Sequence, residues 1–178
     1  MSVIIKKNRF YIFLFIILIS CNSYYNNKKL DAIVQLEKTT TKDYNNLNSL
    51  VENDIENTLK IAKLNLLKIE EKELDSITME LIYFQYKAYL DCVNKIYEGS
   101  QKVNTLNAIL ATNSKQLEHI KADYKHSRSK RDDLNQYLLE ESNIVAETSV
   151  KIKSLINELK KQIIQFDIVN KEIELLIN

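Results

Sequence analysis

The sequence has no proline, no tryptophan and a single glycine, Gly99, in 178 residues. Sheet-rich folds need many tight turns, and tight turns lean on glycine and proline. This scarcity excludes a β architecture and leaves a chain built from few, long elements. Cysteine is nearly absent too: Cys21 and Cys92 are the only two, too few for a disulfide framework. Charge of one sign is not in excess, since 25 basic residues face 24 acidic ones for a formal net charge of +1. Nucleic-acid binders carry a strong basic surplus, so no nucleic-acid partner is expected. What is abundant is Leu, Ile, Lys and Asn, with 28% of residues charged, a profile of long amphipathic helices. The expected fold is all-α: an elongated antiparallel bundle of three long helices, or a long helical hairpin with coiled-coil character.

The first twenty residues differ from the rest. Lys6, Lys7 and Arg9 give a positive start, and the apolar run from Phe10 to Ile19 is ten residues long. That length suits a secretory signal and is too short to span a bilayer as a helix. Leu18-Ile19-Ser20-Cys21 resembles the bacterial lipobox, with a branched apolar residue three before the cysteine and a small one directly before it. The resemblance implies diacylglycerol on the Cys21 thiol, cleavage between Ser20 and Cys21, and a palmitate-type acyl group on the new amine. Each buried CH₂ contributes about 0.8 kcal/mol, so two or three acyl chains hold stably to a membrane. A covalent lipid on Cys21 is the one cofactor-like group expected. Residues 22–29, Asn-rich and without apolar period, read as the start of a tether. Leu30, Ile33, Val34 and Glu37 could make two helical turns before Thr39-Thr40-Thr41 interrupts. The expected organisation is residues 1–20 as signal peptide, 21–46 as lipidated cysteine and tether, and 47–178 as a helical coiled-coil-like domain.

From Leu47 the apolar residues step by three and four through Val51, Ile55, Leu59, Ala62, Leu66 and Ile69, then Ile77, Leu81, Phe84 and Ala88. That is one helical stripe, predicted to run to Tyr97, where Gly99-Ser100 suits a C-terminal cap. Beyond it a seven-residue frame with Ile96 at a places Val103, Leu110, Leu117, Tyr124, Arg131, Leu138, Val145, Ile152, Leu159, Phe166 and Ile173 at successive a positions. Position d is mixed: Leu106, Ile120, Leu134, Leu155, Val169 and Leu176 alternate with Asn113, Ser127, Glu141, Thr148 and Gln162. A parallel dimer wants both seams apolar, so packing within one chain, and hence a monomer, is expected. As one helix, residues 100–177 would reach about 117 Å, more than the preceding helix could cover. Thr112-Asn113-Ser114, His126-Ser127-Arg128-Ser129 and Glu141-Ser142-Asn143 are the candidate turns.

Little in the body suggests chemistry. His119 and His126 lie seven apart, about 10.5 Å along one helix, too far to share a metal, and both fall on the solvent side of the heptad frame. No nucleophile arrangement, metal spacing or glycine-rich phosphate loop is present, so neither an enzyme nor a metal site is expected. Cys92, left alone if Cys21 is lipidated, is expected to pack as a small hydrophobe, the alternatives being a free reactive thiol or an inter-chain bridge. Two surfaces could meet a partner. Tyr83, Phe84, Tyr86, Tyr89 and Tyr97 concentrate aromatic area of the kind enriched at interfaces. Lys121, Lys125, His126, Arg128, Lys130 and Arg131 form the one basic cluster, which could attract a polyanion, although Asp132 and Asp133 follow at once.

The lipobox leader, the Asn-rich tether and the Lys/Asn/Ile-rich helical body together resemble the plasmid- or prophage-encoded lipoproteins of Borrelia spirochaetes. The resemblance implies anchoring in the bacterial outer membrane, with surface exposure expected over a periplasmic position. It also implies non-enzymatic binding of a host or envelope protein. Two alternatives stand beside that reading: a periplasm-facing envelope protein or prophage lysis accessory, and a self-assembling structural coiled coil.

Overall fold

The structure, a computed structural model, describes residues 27–72, 76–126 and 131–177. Among these only Lys72 is non-helical, and the all-α expectation holds. Helix α1 covers residues 27–50 and passes through a π-helical turn, Val51–Ile55, into α2, Glu56–Glu71. Both flanks of that turn, Leu50 (φ −68°, ψ −38°) and Glu56 (φ −61°, ψ −43°), are helical, so the backbone does not break there. Helix α3 spans Ser76–His126 and α4 spans Arg131–Ile177. The signal segment, Cys21 and the residues up to 26 lie outside the described residues, as do Ser127, Arg128, Ser129 and Lys130.

The chain divides into two compact units. The larger takes residues 40–112 and 146–178 and packs three helical stretches on one core. Its inner residues are Leu47, Leu50, Ile55, Ala62 and Ile69 from α1 to α2, Tyr89, Cys92, Ile96, Val103, Leu106 and Leu110 from α3, and Ile152, Leu155, Leu159, Phe166, Val169 and Ile173 from α4. Side-chain pairs give the directions. Asn48 meets Asn107, while Asn65 and Tyr89 both meet Asn170, so the first stretch runs antiparallel to α3. Asp43 meets Ser149 and Asn65 meets Asn170, so it runs parallel to α4. Of the described residues, the smaller unit takes 27–39, 113–126 and 131–145. Ile33 from α1, Leu117, Ile120 and Tyr124 from α3, and Leu134, Leu138 and Val145 from α4 form its core, with Leu30 and Leu36 packed against them.

The seven-residue frame read over the second half of the sequence describes the buried positions well. Every a residue from Ile96 to Ile173 whose side chain is described is buried. The frame also extends back through Tyr89 to Ile82, which the sequence stripe through Ile77, Phe84 and Ala88 had missed. Ile77 and Phe84 are in fact 73% and 77% exposed. The polar d residues Asn113, Glu141 and Thr148 are buried where the frame puts them. In α1 the same spacing gives Ile33, Thr40 and Leu47 on one line and Asp43 and Leu50 on the other. After the π-helical turn the lines resume at Ile55, Ala62 and Ile69, and at Thr58 and Asn65. The steps from Leu47 to Ile55 and from Leu50 to Thr58 are eight residues each, so the chain carries one extra residue there. An inserted residue in an α-helix would rotate the following core face by about 100°. The Glu56 N–H reaches back to the Val51 carbonyl, and this wider turn absorbs the surplus and restores the face.

Four sequence expectations are corrected. Residues 27–46 were predicted as tether with a short helix and are helix throughout. Ile33 is fully buried, the Thr39 hydroxyl bonds the Gln35 carbonyl within the helix, and the buried Asp43 carboxylate accepts from the Ser149 hydroxyl, so the polar residues that discourage helix are satisfied. The first long helix does not run from Leu47 to Tyr97 but ends at Glu71, and Lys72 turns the chain. Gly99 caps nothing: it is buried inside α3, and a Cβ there would clash with the Leu159 side chain, lying 3.1 Å from its Cγ. Close approach of α3 to α4, not a turn, requires this glycine. Of the three candidate turns, only the one beginning at His126 coincides with a helix end.

Gly99→Ala therefore pits a gain in helix propensity of about 0.8–1.0 kcal/mol against overpacking of about 1–3 kcal/mol. We expect net destabilisation, converted to a neutral or favourable effect when the same change is made on Leu159→Ala. Urea unfolding of the wild type, both single variants and the double variant checks this; an equal cost of Gly99→Ala in both backgrounds would refute the packing explanation.

Candidate functional site

The aromatic group predicted on α3 is split by the heptad frame. Tyr83 and Phe84 stand together on the surface, 51% and 77% exposed, with their rings edge to face at 5.6 Å. Tyr97, two heptads on, is 56% exposed. Tyr86 is half-buried against the core. Tyr89 corrects the expectation: it occupies an a position, is wholly buried, and cannot meet a partner. Its ring lies 5.3 Å from that of Phe166. Its hydroxyl donates to Asn170 Oδ1 at 3.2 Å, an oxygen that also accepts from Asn65 Nδ2 at 2.8 Å, while Asn170 Nδ2 donates to Glu174 Oε1 at 2.8 Å. Burial pushes the Tyr89 hydroxyl up to about 12, with Asn65 opposing and Glu174 adding. It is a permanent donor that joins α2, α3 and α4.

The basic cluster is also reduced. Lys121 was expected as an open cation but reaches across to α1, where Nζ contacts both Glu37 carboxylate oxygens at 2.6 and 2.9 Å. Both side chains are more than two-thirds covered. The partner lies 84 residues away, so no local pattern in the sequence announces the pair. Lys125 is exposed, as are His119 and His126. Arg128 and Lys130 lie outside the described residues, and Arg131 opens α4. Cys92 is buried, as expected. Burial pushes its thiol above the ordinary range, with Lys95 opposing and Asp91 reinforcing, which suits a packing residue better than a nucleophile.

Two depressions in the larger unit were not legible in the sequence. One is apolar, about 440 Å³, and runs between α3 and α4 over Leu106 and Leu155. The other is polar, about 470 Å³, and lies beside the π-helical turn, between Asn46, Ser49, Asn53 and Asp54 on one side and Lys153, Asn157 and Lys160 of α4 on the other, over Leu50 and Ile156. Among the described residues no three His, Cys, Asp or Glu side chains converge to hold a metal, and no helix is long and apolar enough to cross a membrane. No protein-family model, curated protein or solved structure matches the chain.

In the smaller unit Glu141 is buried at a d position with Oε1 unpartnered, and Asn113 is buried with Nδ2 unpartnered. Burial raises the Glu141 carboxyl above the ordinary carboxylate range. The folded chain thus holds this proton to higher pH than the unfolded chain does. A penalty for burying the charge is absent below the unfolded pKa and grows as pH rises through the folded one. Glu141→Gln should accordingly match wild type near pH 4. At pH 7 it should exceed wild type by on the order of 1 kcal/mol, roughly 2–4 °C in Tm. Thermal melts across that range test the sign, and a variant less stable than wild type at pH 7 would contradict it.

Proposed function

We propose that this chain is a membrane-anchored bacterial lipoprotein and a non-enzymatic interaction module, with lipid on Cys21 as the anchor and outer helix faces as the contact surface. The observation that carries the reading is the leader: Lys6-Lys7-Asn8-Arg9, the apolar run to Ile19, and Leu18-Ile19-Ser20-Cys21 in register. The helical body agrees with it. Among the described residues helix α1 begins at residue 27, six residues beyond Cys21. Six residues reach at most about 20 Å, so an acylated Cys21 would hold the start of α1 close to the bilayer. The a and d positions are consumed inside the chain, which favours a monomer over a self-assembling coiled coil. Of the predicted partner surfaces, Tyr83, Phe84, Tyr97 and Lys125 remain open to a protein or polyanion.

Mass spectrometry of native material should find an amino terminus at an acylated Cys21, and Cys21→Ala should release the protein from membranes. An unmodified thiol, or a chain still beginning at Met1, overturns the reading. Protease treatment of intact cells should digest the protein; survival would move it to the periplasmic side and favour the envelope or lysis-accessory alternative.

A further inference from the structure

The polar cleft beside the π-helical turn combines two observations that arise separately. The first concerns the backbone. One surplus residue interrupts an otherwise seven-residue frame, and α1 accommodates it with a π-helical turn. Such turns are uncommon and accompany functional sites more often than chance. Without the surplus residue the frame would continue from Leu47 and Leu50 with no such turn. What the turn contributes is the position of Asn53 and Asp54, both of which line the cleft. Asn53 is pinned there: its Nδ2 donates to the Ser49 carbonyl at 2.8 Å, and the Ser49 hydroxyl donates to the Asn46 carbonyl at 3.1 Å. The Asn53 Oδ1 is left as an acceptor.

The second observation concerns α4. Lys153 and Lys160 lie seven residues apart on one face, about 10.5 Å along the axis, and both line the same cleft with Asn157 between them. Among the described residues neither ammonium has a carboxylate within ion-pair distance. Against these two cations the lining carries one carboxylate, Asp54, so the cleft holds a positive excess. The remaining lining groups are amides and a hydroxyl over a small floor of Leu50 and Ile156. Apolar ligands need the opposite balance, with apolar walls and few polar groups. Ammonium groups recognise phosphate as point charges, while Asn and Asp side chains offer the mixed donors and acceptors that hydroxyl groups use. A volume of about 470 Å³ falls in the range of small-molecule sites.

We propose that this cleft binds a phosphorylated polyol, with the phosphate at Lys153 and Lys160 and the hydroxyls at Asn53, Asp54 and Asn157. A free sugar phosphate and a phosphoinositol lipid headgroup share that chemistry. The site stands apart from the anchoring reading, because its occupancy does not depend on what Cys21 carries.

Calorimetry on the full chain in polyoxyethylene detergent, with glucose 6-phosphate, glucose and inorganic phosphate as probes, tests the assignment. The same titrant compared in micelles with and without phosphatidylinositol separates the sources, since a headgroup already seated in the cleft weakens capture of the soluble probe. The expected result is saturable binding of glucose 6-phosphate, weakened about tenfold or more in Lys153→Gln/Lys160→Gln. Lys102→Gln/Lys151→Gln, on the walls of the other depression, should leave it unchanged. Deleting Glu52 removes the surplus residue, and it should abolish binding while the melting temperature is kept or raised. Lack of saturation by glucose 6-phosphate at ~10 mM in micelles without phosphatidylinositol, a range corresponding to under about 3 kcal/mol, overturns the proposal. So does binding indifferent to the two lysines. Inorganic phosphate binding as tightly as glucose 6-phosphate would remove the polyol and leave an anion site only.

Discussion

Seven-residue spacing of the buried positions in all three helical stretches decides which side chains can meet, and most other features of the fold follow from it. A helix that keeps this spacing presents one narrow face, and three such faces close a core with little else to hold it. The chain has one glycine and no proline with which to correct an error. Any residue out of frame must therefore be absorbed within a helix, and the π-helical turn at Val51–Ile55 is where that happens. The constraint also explains Gly99. At a d position facing Leu159 there is no volume for a side chain, so the intrinsic helix penalty of glycine is accepted to let two helices approach.

A frame of apolar residues alone leaves direction and register weakly specified, since a slip by one heptad exchanges one leucine for another. Polar groups buried at core positions remove that degeneracy because each has few acceptable partners. Asn170 satisfies both Asn65 and Tyr89 in the larger unit, and Asp43 satisfies Ser149. Displacing either set by one heptad would strand several hydrogen-bonding groups, each costing about 1–3 kcal/mol. Tyr89 is thus a register residue, although its chemistry is equally suited to an interface. Lys121 and Glu37 do related work at the edge of the smaller unit, where partial solvent access weakens the attraction.

This division between frame and pins also explains how much was legible in the sequence. The helical class and the second-half frame were readable because they depend only on spacing, and Leu117, Ile152 and Phe166 lie where spacing puts them. Tyr89 was within reach of the same frame extended one heptad before Ile96, but a cluster of tyrosines suggested a surface. The helix over residues 27–46 was hidden because Thr40 and Asp43 read as helix breakers, and the Ser149 partner of Asp43 lies on α4, about a hundred residues away. The turn at Lys72 carries neither glycine nor proline, and the apolar steps on either side can be joined by eye into one stripe. Both clefts were invisible for a plainer reason: each is formed by residues about a hundred apart or on separate helices, and only the surplus residue between Leu47 and Ile55 marks the polar one in the sequence.

The two units differ in how well they resolve the tension between frame and polarity. In the larger one Asn65, Asn170, Asp43 and Ser149 find partners on neighbouring helices, with Asn107 Oδ1 the one buried atom left unpartnered among its described residues, and the core runs continuously from Leu47 to Ile173 through aromatic, aliphatic and thiol side chains. The smaller one has a thinner core, in which Ile33 is the one fully committed apolar residue from α1. It also carries Asn113 and Glu141 with atoms unsatisfied at positions the frame reserves for apolar groups. Local opening begins where apolar contact is least and buried polarity is least compensated. By that measure the stretch with residues 27–39, nearest in sequence to Cys21, opens first, while the unit holding the π-helical turn and the polar cleft stays closed. A binding site built on the better-packed unit keeps its geometry even when the segment nearest Cys21 in sequence yields.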